Sequence, residues 1–115
     1  MAGPRERLAA ERAAAASRLA GLEREFGSVV ESARQANTDD EHDPEGATIA
    51  FERQHIAALI SQARERLAEI EAALARLDAG GYGRCVQCGE PISPERLAVR
   101  PAAATCIRCA ERQQR

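Results

Sequence analysis

Aromatic side chains are nearly absent from this sequence, which has no Trp, one Tyr and two Phe among its 115 residues. So few large apolar side chains argue against a large globular core, and the length fits one domain or two very small ones. Lysine is absent as well, because all 16 basic side chains are arginine. The net charge of −2 argues against a chain that holds DNA by charge alone.

Long apolar runs are missing too, so we expect no membrane-spanning segment and no membrane partner. The N-terminus has no apolar signal core, which favours a cytoplasmic protein. There is no Gly-rich phosphate loop. No Ser/His/Asp or Cys/His set can be assembled without using the four paired cysteines. The sequence therefore does not support an enzyme.

The composition is that of long helices, because Ala, Glu, Arg and Leu dominate and 30% of the residues are charged. Two segments, from about Pro4 to Ala36 and from about Pro44 to Ala79, repeat apolar or small residues with the heptad spacing of a coiled-coil seam. The first seam comprises Leu8, Ala15, Leu22, Val29 and Ala36, with Leu19, Phe26 and Ala33. The second comprises Ile49, Ile56, Ala63, Ile70 and Leu77, with Ile60, Leu67 and Leu74.

The ends of the second segment carry clear helix signals. Asp43 can cap the N-terminus, and Pro44 suits a first helical position because its missing N–H would have no partner there. Gly80 and Gly81 supply the left-handed backbone with which helices commonly end. The two segments thus predict two helices of similar length.

Two equal seams joined by the short connection 37–43 predict an antiparallel hairpin, because each apolar stripe needs a partner. We expect an all-α fold in which residues 1–79 form a long antiparallel coiled-coil hairpin with an acidic tip at 37–45. The expected state is a monomer. A parallel dimer of separate coiled coils is the competing arrangement, which the short connection disfavours.

Four cysteines follow the hairpin in the pattern Cys85-x2-Cys88-x17-Cys106-x2-Cys109. Two residues between cysteines let one turn aim both sulfur atoms at one point, and the spacer is typical of a four-cysteine zinc site. We expect one structural Zn²⁺, because four thiolates close the coordination sphere and leave no position for catalytic water. A redox dithiol lacks the βαβ context it needs. Residues 80–115 therefore read as a small zinc finger with a C-terminal helix.

Local residues support the finger. Gly89 follows the first cysteine pair, as a tight turn requires. Ser93 and Pro94 read as the N-cap and first position of a short helix. Thr105 is placed to cap a final helix that reaches about Gln114. About 30 residues with few apolar side chains predict that metal binding supplies most of the folding energy of the finger.

The sequence around the cysteines has a recognisable pattern. It comprises the run GYGRCVQCGEPI over residues 81–92, followed by Arg96-Leu97, Pro101 and CIRC over residues 106–109. This pattern resembles the DksA/TraR family of bacterial zinc-finger proteins, closely over residues 80–110 and more loosely over the hairpin. The resemblance implies a transcription regulator that binds RNA polymerase directly, without sequence-specific DNA binding. It implies that the hairpin enters the polymerase secondary channel while the finger contacts the channel rim.

The resemblance also implies a role for the hairpin tip, where family members carry Asp-x-x-Asp-x-Ala. Asp40 and Asp43 keep both aspartates and their spacing, whereas Glu45 replaces the alanine. The family implies that these aspartates approach the polymerase active-site region. From the residues alone, a solvated acidic loop in which Asp43 only caps the second helix is the simpler interpretation.

Two other functions stay open at this point. A zinc-stabilised coiled-coil adaptor would bind another protein and never touch polymerase. A nucleic-acid-binding finger would use the arginines of the tail on phosphate. The finger lacks aromatic side chains for base stacking, which makes the second alternative the weaker one. The simpler interpretation of the tail arginines, Arg112 among them, is that they offset the net −2 charge of a zinc ion with four thiolates.

Overall fold

The computed structural model describes residues 2–36 and 44–114, with the backbone alone for residue 36 and residues 44–46. The described residues form four helices, which are α1 (Pro4–Ala36), α2 (Pro44–Ala79), α3 (Pro94–Val99) and α4 (Ile107–Gln113). Within that part of the chain the β-structure amounts to an isolated antiparallel bridge between Arg84 and Pro91. The predicted all-α fold is confirmed: a long helical hairpin precedes a four-cysteine finger with a short final helix.

Helix α2 ends on the predicted glycines. Gly80 has φ of +83°, the left-handed backbone that glycine adopts without steric cost. The N–H of Gly81 donates to the carbonyl of Arg76 at 2.8 Å, and the N–H of Gly80 donates to that of Leu77 at 3.3 Å. This pair of bonds is a Schellman motif, which satisfies carbonyls that have no partner within the helix. The predicted Asp43 cap at the other end lies outside the described residues.

Contacts group the chain into two compact units. One unit is Ala15–Glu65, which contains the end of α1 and the start of α2. Its core is one apolar cluster of buried side chains, comprising Leu22, Val29, Ile56, Ile60 and Ala63. All five belong to the predicted seams, as do the partly buried Leu19, Phe26 and Ile49 beside them. An ion pair of 3.6 Å joins Glu23 of α1 to Arg64 of α2.

The other unit comprises Met1–Ala14 with Arg66–Arg115, and so joins the start of α1, the end of α2 and the finger. Leu8 and Ile70 of the predicted seams are fully buried here. Arg5 pairs with Asp78 at 2.6 Å, and Arg12 pairs with Glu71 at 3.6 Å. The second pair lies seven residues later in α1 and seven earlier in α2, which is antiparallel pairing in steps of one heptad.

Among the residues of α1 and α2 whose side chains are described, one buried position lies outside the predicted seams. Ala73 has no exposed surface, whereas the neighbouring Leu74, which belongs to the predicted seam, is only half-buried. A methyl side chain can be buried completely where a longer side chain such as that of Leu74 keeps part of its surface exposed. The predicted division into a hairpin domain (residues 1–79) and a finger domain (residues 80–115) stays a prediction, because it depends on whether each part folds independently.

None of the helices within residues 2–36 and 44–114 combines the length and apolar character that crossing a bilayer requires.

Candidate metal centre

The first cysteine pair lies in a tight turn that backbone hydrogen bonds close on both sides. The N–H of Cys85 donates to the carbonyl of Glu90 at 2.8 Å, and the N–H of Gly89 donates back to that of Cys85 at 2.9 Å. Gly89 has φ of +78°, so the turn needs glycine here, as predicted. Outside this turn, the N–H of Ile92 donates to the carbonyl of Gly83 at 2.7 Å. The turn therefore directs the sulfur atoms of Cys85 and Cys88 towards the same point.

The second pair is held at the start of α4. Cys106 is the N-cap of this helix, and Cys109 lies in its first turn. The prediction that Thr105 caps α4 is wrong, because the helix begins one residue later. The carbonyl of Thr105 instead accepts a hydrogen bond from Arg96 Nε at 2.9 Å. This contact fixes the chain just before the second cysteine pair.

The spacer between the pairs contains α3, which is capped as predicted. Ser93 is its N-cap, and the Ser93 Oγ accepts a hydrogen bond from the backbone N–H of Arg96 at 3.2 Å. Beyond α3, the N–H of Val86 donates to the carbonyl of Ala104 at 2.9 Å. That bond draws the end of the spacer back to the first cysteine turn.

Together these elements bring all four predicted ligands into one cluster. The sulfur atoms of Cys85, Cys88, Cys106 and Cys109 all lie within 4.8 Å of one another. The Cys88 and Cys106 sulfur atoms are 3.8 Å apart. A tetrahedral zinc with Zn–S bonds of about 2.3 Å has sulfur–sulfur edges of about 3.8 Å, so the donor set and spacing fit this metal.

The cluster is part of the small core of the finger. Cys85 and Cys109 are buried together with Ile92, and Leu97 packs against them. Cys88 is exposed and Cys106 is half-buried, so the centre faces solvent on one side. Four thiol ligands around one point leave no position for a substrate, which makes the arrangement suited to structural support.

Burial and hydrogen bonding make three of the thiols, those of Cys85, Cys106 and Cys109, unequal acids. Burial opposes ionisation of Cys85, but hydrogen bonds from the backbone N–H groups of Cys106, Cys88 and Gln87, with one from Cys109, lower its pKa from 9.0 to about 6. Burial, together with hydrogen bonds to the other three thiols, raises the pKa of Cys109 to about 12. The backbone N–H of Cys109 lowers the pKa of Cys106, against the effect of burial. A thiolate-binding cation must therefore displace a proton from Cys109.

Two contacts near the cluster were not predicted from the sequence. Arg112 Nη2 donates to the Cys109 Sγ at 3.7 Å, and the spacing of three residues on a predicted helix could have indicated this contact. The Tyr82 hydroxyl donates to the carbonyl of Pro101 at 2.8 Å, for which the sequence carries no local signal. Asp40 and Asp43, predicted at the hairpin tip, lie outside the described residues.

Comparison with known proteins relates the four-cysteine finger to a known protein family. Residues 80–115 match the family model of the prokaryotic dksA/traR C4-type zinc finger. The RNA polymerase-binding transcription factor DksA of Caulobacter vibrioides is 40% identical over 52 residues, which is 45% of this chain and 37% of that protein. The same-named protein of Haemophilus influenzae is 46% identical over 46 residues, or 40% of this chain and 32% of that protein. The chain thus spans about a third of the length of the curated relatives it matches.

A solved structure matches over a much longer part of the chain. The structure of transcription factor DksA2 from Pseudomonas aeruginosa superposes with a TM-score of 0.77 and 31% sequence identity. The match covers 96% of this chain and 80% of the other, so it includes both the hairpin and the finger. The chain has the four-cysteine finger of this family, and its hairpin and finger both match a solved member of it at 31% identity. The chain therefore belongs to the DksA/TraR family of bacterial zinc-finger proteins.

Proposed function

We propose that this chain is a transcription regulator that binds RNA polymerase directly, through the secondary channel, without sequence-specific DNA binding. The observation that carries the proposal is the match to a solved transcription factor over 96% of the chain. It supports a shared mode of action more strongly than a finger alone would, because small zinc fingers occur in proteins of many functions. In this proposal the protein is a cytoplasmic monomer and acts by binding rather than by catalysis.

The finger is proposed to hold one structural Zn²⁺ on Cys85, Cys88, Cys106 and Cys109. When bound, the metal would cross-link the two cysteine turns. The chain itself provides the turns: backbone bonds shape the first, and α4 presents the second. Because this small core includes two buried cysteines and Ile92, ligation would supply much of the folding energy of the finger.

The tip of the hairpin is proposed to carry the regulatory activity through Asp40 and Asp43. Both match the aspartates of the family pattern, and Glu45 adds a carboxylate where the family has alanine. Carboxylates presented on a hairpin suit an approach to a cation or a basic surface inside a partner. The tip therefore acts on the polymerase, whereas the seam residues only hold the hairpin together.

Fluorescence anisotropy with RNA polymerase from the host bacterium tests the proposal. Because the chain has no lysine, an amine-reactive dye can be confined to the N-terminal α-amino group and leaves the cysteines untouched. The test variant is Asp40→Asn/Asp43→Asn. The matched control is Asp39→Asn/Glu41→Gln, which removes two charges from the same segment but keeps both family aspartates. Each variant is also assayed for its effect on transcription in vitro.

We expect the test variant to bind polymerase but to lose its effect on transcription, whereas the control keeps both. No binding at about 50 µM polymerase, where complexes as weak as about −6 kcal/mol are detected, would overturn the proposal in favour of a protein adaptor. Binding to free DNA that weakens steeply with salt, without binding to polymerase, would favour a nucleic-acid-binding finger instead.

A further inference from the structure

The sulfur atoms of the metal centre differ in the origin of their hydrogen bonds. Apart from hydrogen bonds among the thiols themselves, backbone N–H groups bond the sulfur of Cys85, and the backbone N–H of Cys109 bonds the sulfur of Cys106. The sulfur of Cys109 receives a hydrogen bond from a charged side chain, because Arg112 Nη2 lies 3.7 Å from it. This buried sulfur therefore has a cation beside it.

The position of Arg112 follows from the helix. It lies three residues after Cys109 in α4, so the two side chains project from the same face. Cys109 is only 5% exposed, whereas Arg112 is exposed to solvent. Both border a cavity of about 250 Å³, which Gln87, Cys88 and Gln113 also line. A small molecule that reaches the sulfur atoms through this cavity would meet the guanidinium.

Other arginines of the finger make different contacts. Arg84 Nη1 donates to the carbonyl of Gly89 at 3.2 Å, and Arg96 Nε donates to that of Thr105 at 2.9 Å. These bonds hold the backbone that carries the cysteines. The contact of Arg112 is with a ligand atom itself, which allows it to act on the charge of the centre.

We propose that Arg112 is an outer-sphere partner of the metal centre, whose guanidinium stabilises the Cys109 thiolate and slows the loss of zinc. This inference rests on the proposed zinc ligation by the four cysteines. A zinc ion with four thiolates carries a net charge of −2, and a charge-assisted hydrogen bond to one sulfur offsets part of it. Partners of this kind typically change metal affinity by about 10-fold to 100-fold. The exposure of Arg112 places the expected effect near the lower value.

Zinc release from the full chain tests the proposal. Zinc-loaded protein is mixed with excess 4-(2-pyridylazo)resorcinol, and the rate of zinc transfer is followed by absorbance. Arg112→Gln is the test variant, and Arg112→Lys keeps the charge without the planar fork. Arg108→Gln is the matched control, because it removes the same charge from an exposed position one residue from Cys109. Far-UV circular dichroism checks that each variant is folded.

We expect release from Arg112→Gln to be about tenfold faster than from the wild type, with Arg112→Lys in between and Arg108→Gln unchanged. Replacement of Zn²⁺ by Co²⁺ gives a second, spectroscopic readout. Loss of the hydrogen bond makes the Cys109 sulfur a stronger electron donor to the metal. The sulfur-to-cobalt charge-transfer band should move to lower energy in Arg112→Gln and not in Arg108→Gln. If Arg112→Gln does not fold, the lysine variant carries the same test.

The possible failures are distinguishable. A wild-type protein that binds no zinc would overturn the proposed metal site itself. Zinc retained equally by the wild type and both Arg112 variants would overturn the role of Arg112 and leave the metal site intact. Equal acceleration in Arg112→Gln and Arg108→Gln would also overturn it, because general charge, rather than the contact with Cys109, would then control release.

Discussion

The Tyr82 hydroxyl donates a hydrogen bond to the carbonyl oxygen of Pro101, 19 residues further along the chain. Tyr82 follows the glycines that end α2, and Pro101 lies just beyond α3. Burial raises the pKa of Tyr82 above 10.0, although the nearby charges of Arg7 and Arg76 lower it. The phenol is thus held in its neutral form, in which it can donate.

Tyr82→Phe should destabilise the protein by about 1 kcal/mol at pH 7, because it removes one partly buried hydrogen bond. Since the folded-state pKa is raised, the stabilisation by the neutral phenol is fully present below the unfolded pKa. It is lost as pH rises through the folded pKa. Urea unfolding at pH 7 and at increasing alkaline pH should therefore show the difference between wild type and variant shrinking.

The titration of Tyr82 can be followed directly, because the chain contains no other Tyr and no Trp. Phenolate absorbance near 295 nm should rise with a midpoint above the ordinary value of 10.0. The absence of lysine removes the amines that would titrate in the same range. A midpoint at or below the ordinary value would mean that the hydroxyl is solvated rather than bonded to Pro101.

Two glycine substitutions should have opposite effects on the free energy of unfolding. At both Gly27 and Gly80, an added methyl group would meet no atom within 4 Å. Gly27 lies inside α1, so Gly27→Ala should stabilise by about 0.5–1 kcal/mol. Gly80 has a left-handed backbone, so Gly80→Ala should destabilise by about 1 kcal/mol. Effects of the same sign in urea unfolding would contradict the assigned backbone of one of them.

Ile70→Ala should destabilise the hairpin by about 2–5 kcal/mol, because Ile70 is fully buried and the change leaves a cavity. Ile107→Ala is the matched control, since Ile107 is 57% exposed and should change the unfolding free energy by less than about 1 kcal/mol. Helicity followed during urea unfolding measures both. Similar costs for the two variants would mean that the seam position of Ile70 is wrong.

Cys106→Ser should abolish stable zinc binding while most of the helical signal remains. Helices α3 and α4 have six and seven residues, against 33 and 36 in α1 and α2, so losing both removes about a sixth of the helical signal. Zinc content by atomic absorption and circular dichroism at 222 nm give the two readouts. Chelator-treated wild type is the comparison, and zinc retained at one ion per chain in the variant would contradict the prediction.

The two long helices could be predicted closely because independent signals agreed. Heptad spacing located both seams, and Pro44 and Gly80 marked the ends of α2. Each seam residue whose side chain is described is buried or half-buried. The spacing of the cysteines likewise predicted the cluster, because two residues between ligands set the local turn before any tertiary contact forms.

The details that sequence reasoning missed depend on neighbours distant in the chain. The complete burial of Ala73 depends on its tertiary neighbours, which a heptad pattern does not encode. The cap at Cys106 rather than Thr105 follows from the bond between Arg96 and the Thr105 carbonyl. The pairing of Tyr82 with Pro101 is decided by the fold of the whole spacer.

The two ion pairs of α1 and α2, Arg5 with Asp78 and Arg12 with Glu71, mark the register that the buried seam imposes on any change in the length of the hairpin. A seven-residue deletion placed after Arg12 in α1 alone would keep both pairs but offset every contact nearer the connection by one heptad. The same deletion made in both helices would restore those contacts in register. Insertions and deletions in this hairpin are therefore expected to be tolerated in matched pairs of whole heptads, so that its length can vary while the finger stays unchanged.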